Sequence, residues 1–215
     1  MPKIEPFEKY SDEYDEWFRN NADLYESELE TIRQLMPPSG AEGIEVGVGS
    51  GKFAAPLGIK IGVEPSKKMA IKARQLGIEV YHGIAEDLPF SDNRFDYVLM
   101  VTTICFVDDI TRALKEAFRV LKPGGIIILG FVDRESELGR RYMEKREHSK
   151  FYKDATFFST REVLKLLEGT GFKLEQVKQT IISGMPPKTI LNGFGKGSFV
   201  AIKAIKQLKL INRYT

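Results

Sequence analysis

This sequence of 215 residues contains little of what builds disulfide frameworks or metal centres, since it has one cysteine and two histidines. A single cysteine cannot form a disulfide within the chain and fits a reducing compartment, so we expect a cytoplasmic protein. The two histidines and the cysteine lie far apart in the sequence. They show none of the ligand spacings that metal sites use, so we expect no metal.

Long apolar runs and a surplus of one charge are also missing. The longest apolar run lies around residues 126–132 and is far shorter than the ~20 residues that a membrane span needs. Residues 1–5 lack the apolar core of a signal peptide. Lys and Arg number 32 against 30 Asp and Glu, a formal net charge of +2. We therefore expect neither a membrane nor a nucleic-acid partner.

What the sequence does have is an alternation of strand-like and helix-like segments. Apolar residues recur every three or four positions in the helical segments, most clearly over 109–121. Such alternation predicts an α/β fold with a mostly parallel sheet and helices on both faces. The last two strands are expected to form an antiparallel pair. The predicted strands are 43–47, 60–64, 79–83, 95–101, 125–132, 172–180 and 197–205.

Capping residues mark the ends of several predicted helices. Asp108 or Asp109 is expected to begin the helix that covers 109–121. The pattern Ser159-x-x-Glu162 is a capping box that opens another helix. Ser66 predicts the start of a helix closed by Gly77. The side chains expected to face inward from that helix are Met69, Ala70, Ala73 and Leu76.

Residues 43–51, Gly-Ile-Glu-Val-Gly-Val-Gly-Ser-Gly, carry the strongest chemical signal. Glycines let a backbone turn tightly and approach a ligand closely, because no Cβ stands in the way. Glu45 precedes the first glycine of the turn by two residues, and such an acid suits a ligand with a cationic end better than a pyrophosphate. Lys52 stands where a dinucleotide fingerprint starting at Gly47 requires glycine or alanine. Both residues argue against a dinucleotide.

The pattern Glu45-x-Gly47-x-Gly49-x-Gly51 resembles motif I of the class I S-adenosylmethionine (SAM)-dependent methyltransferases of the small-molecule type. Residues 81–100 and 120–129 are similar to later segments of the same family, and the resemblance covers about residues 40–180. It implies a Rossmann-like, doubly wound sheet of seven strands with an antiparallel last strand. It also implies SAM as methyl donor and S-adenosylhomocysteine as product.

The resemblance also implies which residues bind the cofactor. The glycine-rich turn would hold the methionine end of SAM, and Glu64, 17 residues after Gly47, is placed for the ribose hydroxyls. Ile84 departs from the family pattern, which often has an aspartate there, so adenine recognition would depend on backbone groups and Glu86. The expected cofactor-binding residues are Glu45, Gly47, Val48, Gly49, Gly51, Glu64, Pro65, Ser66, Met69, Ala85, Glu86 and Thr102.

Two regions outside these motifs are expected to define the substrate. Residues 1–38 are expected to form a helical lid on a core of residues 39–215, with Tyr14 and Trp17 closing the pocket. A simple packing face would account for the same aromatic stripe. The charged segment 133–158 is expected to be a substrate-side insertion, although its mixture of acids and bases is equally typical of a solvated surface.

The segment after the fourth predicted strand, 101–106, lacks the motifs of related enzymes that modify bases or glutamine amides. We therefore expect methyl transfer to a small molecule by in-line displacement. His148 and Tyr142 are conceivable general bases, but neither is singled out, and no catalytic residue is assigned. Two alternatives remain open at this point, a non-catalytic SAM-binding protein and a nucleotide-dependent oxidoreductase. The acceptor and the oligomeric state also remain open.

Overall fold

The computed structural model describes residues 3–207, so the first residues of the predicted lid and the last residues of the predicted core lie outside the described part. One sheet runs through the molecule in the spatial order β3-β2-β1-β4-β5-β8-β6-β7. Its strands are β1 Gly43–Val46, β2 Ile61–Val63, β3 Glu79–Tyr81, β4 Phe95–Val101, β5 Leu121–Val132, β6 Phe172–Ile182, β7 Leu191–Asn192 and β8 Gly197–Lys206.

The direction of the strands confirms the predicted α/β class. Strands β1 to β5 pair in parallel, whereas β8 is antiparallel to both of its neighbours, β5 and β6. The number of strands differs from the prediction, because the described sheet has eight strands rather than seven. The additional strand, β7, pairs Leu191 with Gln179 and Asn192 with Lys178. Two residues are too few to show the alternation by which a strand is recognised in a sequence.

Helices cover both faces of the sheet. No helix among residues 3–207 has the length and apolar character required to cross a membrane. A 3₁₀ turn at Arg146–His148 follows the seventh helix. The α-helices are α1 Glu5–Lys9, α2 Ser11–Asn20, α3 Ala22–Arg33, α4 Ala54–Leu57, α5 Lys67–Gln75, α6 Ile110–Val120, α7 Glu137–Glu144 and α8 Thr160–Thr170.

The helix caps lie where the sequence predicts them. The Ser66 hydroxyl accepts a hydrogen bond from the Met69 N–H at 3.3 Å and begins α5. Asp109 caps α6, and Ser159 and Glu162 form the reciprocal capping box of α8. The inward orientation predicted for Leu76 is wrong. Its side chain is 52% exposed because α5 ends at the preceding residue and Leu76 lies in the turn that follows.

Alternate side chains of the central strands enter two apolar layers. Ile44 and Val46 pack in the layer that contains residues of α6 and α8. Leu99 and Val101 enter the opposite layer, which contains residues of α2, α3 and α5. Because successive strand residues point to opposite faces, Glu45 faces this second layer. The two layers hold the carboxyl ends of β1, β2 and β4 side by side, at the edge where parallel sheets bind ligands.

Candidate active site

A cleft lies at the carboxyl ends of β1 to β4 and encloses about 1260 Å³, counting the part open to solvent. Its lining comes from the turns after these strands, from the N-terminal helices and from the segment between β5 and α8. The predicted residues that line it are Gly47, Gly49, Glu64, Pro65, Met69, Ala85, Glu86, Thr102, Tyr14 and Trp17.

The remaining predicted residues do not line the cleft. Val48 is buried in an apolar layer and Ser66 caps α5. Gly51 has a φ of +83°, and a Cβ at this position would lie 2.7 Å from Ile78 Cδ1. These residues support the shape of the turn. Glu45 is also buried, and its position is described below.

Two glycines of the turn have different steric surroundings. Gly47 has a φ of +71°, and a Cβ there would lie 2.5 Å from Thr103 Cγ2, so this glycine allows the turn to pack against the end of β4. Gly49 has a φ of +55°, but a Cβ there would meet only Met69 Cε at 3.5 Å and Tyr14 Oη at 3.9 Å. Both are ordinary van der Waals distances, so no close packing explains this glycine, and its backbone lines the cleft, where a ligand can approach it closely.

Glu64 links the glycine-rich turn to the start of α5. One of its carboxylate oxygens accepts the Gly49 N–H and the other accepts the Ser66 N–H, both at 2.9 Å. A carboxylate has about four lone-pair sites, so two further donors can be accommodated. Burial raises the pKa of Glu64 to about 7, although the two N–H donors act in the opposite direction.

Glu86 has a structural partner. Its Oε1 accepts the backbone N–H groups of Asp108 at 2.7 Å and Asp109 at 3.1 Å, which fixes the start of α6. The surface next to it is formed by Ile84, Ala85 and Val107, which line the cleft. The observed contacts of Glu86 are therefore with α6, beside an apolar surface that could receive a flat ring.

The end of β4 is held in an unusual conformation. Thr102 has a φ of +52°, which β-branched residues rarely adopt, and such strain is typically found at functional sites. The neighbouring Thr103 hydroxyl donates to the Val46 carbonyl at 3.1 Å and lines the cleft. Sequence reasoning missed Thr103, because a hydroxyl adjacent to a predicted site residue carries no spacing signal.

The N-terminal helices are attached to the glycine-rich turn by polar contacts. Asp15 of α2 accepts hydrogen bonds from the Ser50 hydroxyl at 2.6 Å and from Lys72 Nζ at 2.8 Å. From the other side of the cleft, Phe151 packs against Phe7 and Tyr14, with ring centroids 5.8 and 5.9 Å apart. The N-terminal helices and the segment 133–158 thus meet through aromatic contacts beside the cleft.

Glu45 is a buried carboxyl with an unpaired oxygen. It is 2% exposed, and within the described residues Oε2 has no hydrogen-bond partner. Burial raises the pKa of Glu45 well above its ordinary value, although the Ala54 N–H and this carboxyl form a hydrogen bond that acts in the opposite direction. Strand alternation places its side chain in the layer below Gly47 rather than on the surface of the cleft.

Glu28 of α3 is a second buried carboxyl, and unlike Glu45 it lines the cleft. It is 5% exposed, and burial alone raises its pKa to about 8. Within residues 3–207 no side-chain hydrogen bond or ion pair reaches this carboxyl. Sequence reasoning missed Glu28, because its helix carries several acids and only the tertiary fold shows which one is enclosed.

The wall formed by the segment 133–158 is aromatic. Tyr142 and Tyr152 line the cleft and stack at 4.9 Å between ring centroids, and burial raises the pKa of Tyr142 to about 12. Cys105 packs behind them against Phe157, and burial raises the pKa of its thiol to about 12, so it behaves as a small apolar residue. His148 lies in the 3₁₀ turn and does not line the cleft.

Comparison with known proteins points to one kind of enzyme. Residues 44–129 match the family described as Methyltransferase domain. The chain is 48% identical to a SAM-dependent methyltransferase of Thermotoga maritima, whose crystal structure is described as that of a possible histamine N-methyltransferase. That comparison covers 95% of this chain and 100% of the other, with a TM-score of 0.90.

Two relatives known from sequence extend the comparison. An uncharacterized protein of Methanocaldococcus jannaschii is 46% identical over 203 residues, which are 93% of this chain and 98% of that protein. A demethylmenaquinone methyltransferase of Bacillus cereus is 29% identical over 209 residues, covering 80% of this chain and 87% of that enzyme. Similarity to the first therefore extends over almost the entire length of both chains.

Proposed function

Because this chain belongs to the SAM-dependent methyltransferases, we propose that it transfers a methyl group from SAM to a small molecule bound in the cleft. The observation that carries this proposal is that Gly49 and Glu64 line a single cleft, where the Gly49 N–H donates to the Glu64 carboxylate. Membership of this family establishes the enzyme class and the fold. The proposal adds which residues bind SAM and the acceptor, and what kind of molecule the acceptor is.

The residues of the cleft fit SAM. The cleft beside Gly49 would accommodate the methionine portion, and Glu64 retains the acceptor capacity for two ribose hydroxyls. Ile84, Ala85 and Val107 provide an apolar surface for the adenine ring. When bound, SAM supplies a methyl group on a positively charged sulfur, activated for in-line displacement. The unpaired Oε2 of the buried Glu45 places an acceptor oxygen below the same turn.

The chain itself has to position the acceptor and exclude water. We assign the lid role to α1, α2 and α3, with Tyr14 and Trp17 on the inner surface, and the facing wall to the segment 133–158. Phe7, Phe151 and Tyr152 enclose the space between them with apolar surface. These walls would hold the nucleophile about 3–3.5 Å from the methyl carbon and keep water out of the site. Both effects accelerate methyl transfer.

The aromatic walls and the absence of a strongly basic surface support a small acceptor rather than a polymer. The protein from Thermotoga maritima is described as a possible histamine N-methyltransferase, and the Bacillus cereus enzyme is a demethylmenaquinone methyltransferase. Histamine and demethylmenaquinone both contain rings, and a ring fits between the aromatic side chains of this cleft. We propose that the enzyme works in the cytoplasm, as its single cysteine suggests.

Calorimetric titration with S-adenosylhomocysteine tests the donor site. Gly49→Val would place side-chain atoms in the part of the cleft proposed for the methionine portion, and a misfit of about 3 kcal/mol corresponds to an affinity loss on the order of 100-fold. Gly184→Val is the matched control, because Gly184 also has a positive φ, +76°. A Cβ added at Gly184 would have no atom within 4 Å, so this variant carries the same backbone strain away from the cleft. If Gly49→Val binds as tightly as the wild type while remaining folded, the proposed donor site is wrong.

A further inference from the structure

Three carboxylates line the cleft, and they differ in their partners. Glu64 accepts two backbone N–H groups, and Glu86 accepts two others. Glu28 is only 5% exposed, and within the described residues its carboxyl has no hydrogen-bond or ion-pair partner. A buried carboxyl without a partner is costly to maintain, so its presence in a cleft indicates a ligand that pairs with it.

The electrostatic neighbours of Glu28 locate it within the cleft. Burial raises the pKa of Tyr142, and the negative charge of Glu28 raises it further. Burial also raises the pKa of Tyr14, where Glu45, Glu64 and then Glu28 contribute in decreasing order. Glu28 and Tyr142 line the same cleft, whereas Glu64 is hydrogen-bonded to the glycine-rich turn. The region near Glu28 and Tyr142 is therefore available for a second ligand.

The surroundings of Glu28 define the chemistry of what it can bind. The rings of Tyr14, Tyr142 and Tyr152 line the same cleft, and aromatic faces attract cations. Lys3 also lines the cleft, but its Nζ donates to Thr156 Oγ1 at 3.3 Å and forms no ion pair with Glu28. The cleft thus has an enclosed acid and aromatic walls, and no cationic side chain among the described residues pairs with that acid.

We propose that Glu28 binds the protonated amine of the methyl acceptor, so that the cleft selects small amines with an apolar or aromatic body. This proposal rests on the methyltransferase function proposed above and narrows it to one class of acceptor. Ion pairing and hydrogen bonding with an ammonium group would stabilise the ionised form of the carboxyl. A neutral group of the same size cannot form the ion pair, and an anionic group would lie next to a like charge.

Three probes that share one ring test the selection. Phenethylamine, 2-phenylethanol and phenylacetate share a phenyl ring and carry a cationic, a neutral and an anionic group, respectively, at the end of a short chain. Each is titrated calorimetrically into the full-length protein saturated with S-adenosylhomocysteine. We expect wild type to bind phenethylamine at least about tenfold more tightly than the alcohol, a difference of about 1.4 kcal/mol, and to exclude the acid.

Glu28→Gln keeps the size of the side chain and removes the charge. We expect this variant to lose the preference for the amine and to keep its affinity for S-adenosylhomocysteine. Glu30→Gln is the control, because Glu30 lies on the same helix, is exposed and pairs with Arg33 at 2.8 Å. It should keep the amine preference of the wild type.

The possible failures are distinguishable. Equal binding of the amine and the alcohol by wild type, binding of none of the three probes, or an unchanged preference in Glu28→Gln would overturn the role of Glu28. So would loss of S-adenosylhomocysteine binding in Glu28→Gln, since Glu28 would then belong to the donor site. Failure of wild type itself to bind S-adenosylhomocysteine would instead contradict the proposed function.

Discussion

Individual carboxyl groups in and beneath this cleft are held in environments that disfavour their charge. Glu28, Glu45 and Glu64 are each at most 7% exposed, and burial raises the pKa of all three. Perturbed acids of this kind are concentrated at functional sites, where binding a ligand offsets the cost of keeping them. Glu64 is partly compensated by two N–H donors, whereas no hydrogen bond or ion pair within residues 3–207 compensates Glu28.

This difference makes the stability of the ligand-free protein depend on pH through Glu28. Its pKa is about 8 in the folded protein against an ordinary value of 4.5, so the folded state retains the proton longer than the unfolded state. Stability therefore falls as the pH rises from about 4.5, and the loss is complete above about 8. We expect Glu28→Gln to be more stable than wild type at pH 9, by on the order of 3–5 kcal/mol, and similar at pH 4.

Chemical denaturation at several pH values checks this expectation. Glu30→Gln serves as the control, since the Arg33 side chain hydrogen-bonds Glu30 and lowers its pKa, so this substitution should not increase stability at high pH. Parallel pH profiles for wild type and Glu28→Gln would show that Glu28 does not titrate as described.

At the level of helices and strands, a polar contact holds α2, part of the proposed lid, against the glycine-rich turn. Asp15 hydrogen-bonds Ser50 and Lys72 and lies 3.4 Å from Lys52 Nζ. Its side chain is 15% exposed, so these contacts are less screened than those of surface ion pairs. They connect the lid to the donor site and to α5 at a single residue.

Asp15→Asn should therefore loosen the lid without unfolding the core. Loss of the charge weakens charge-assisted hydrogen bonds worth about 1.5–3 kcal/mol, so we expect S-adenosylhomocysteine to dissociate at least about tenfold faster. Stopped-flow fluorescence of Trp17, which lines the cleft, is a suitable measurement. Glu16→Gln, on the same helix and paired only with Arg19 at 3.8 Å on the surface, should dissociate at the wild-type rate. Equal rates for Asp15→Asn and wild type would contradict the lid role.

The sequence predicted these elements unequally well, for physical reasons. Periodic burial and a cap locate α6, and a nearly continuous apolar run locates β4. The N-terminal aromatic stripe does not reveal the breaks at Tyr10 and Asn21 that divide it into three helices. β7 was not predicted either, since a two-residue strand is defined by its partner rather than by its own pattern.

On the scale of the whole molecule, some of the residues that line the cleft could be predicted from the sequence and others could not. The glycine-rich turn and Glu64 form a local motif with fixed spacing, and the structure places Gly47, Gly49 and Glu64 in the lining of the cleft. Thr103 and Glu28 enter the cleft because separate elements converge on it, and their own sequence surroundings are ordinary. Convergence of this kind depends on tertiary packing, which a pattern of local residues does not specify.

That convergence has a measurable consequence for the whole molecule, because a ligand in the cleft contacts the lid, the strand ends and the insertion together. A ligand that binds only the folded state stabilises it by about 2.7 kcal/mol at 100 times its dissociation constant, or about 5–10 °C in Tm for a chain of this size. We expect S-adenosylhomocysteine to raise the Tm of wild type by this amount in differential scanning calorimetry. NAD should cause no shift, and Gly49→Val should not respond to either compound. A shift with NAD, or an undiminished response of Gly49→Val, would mean that the cleft binds a ligand other than the one its residues indicate.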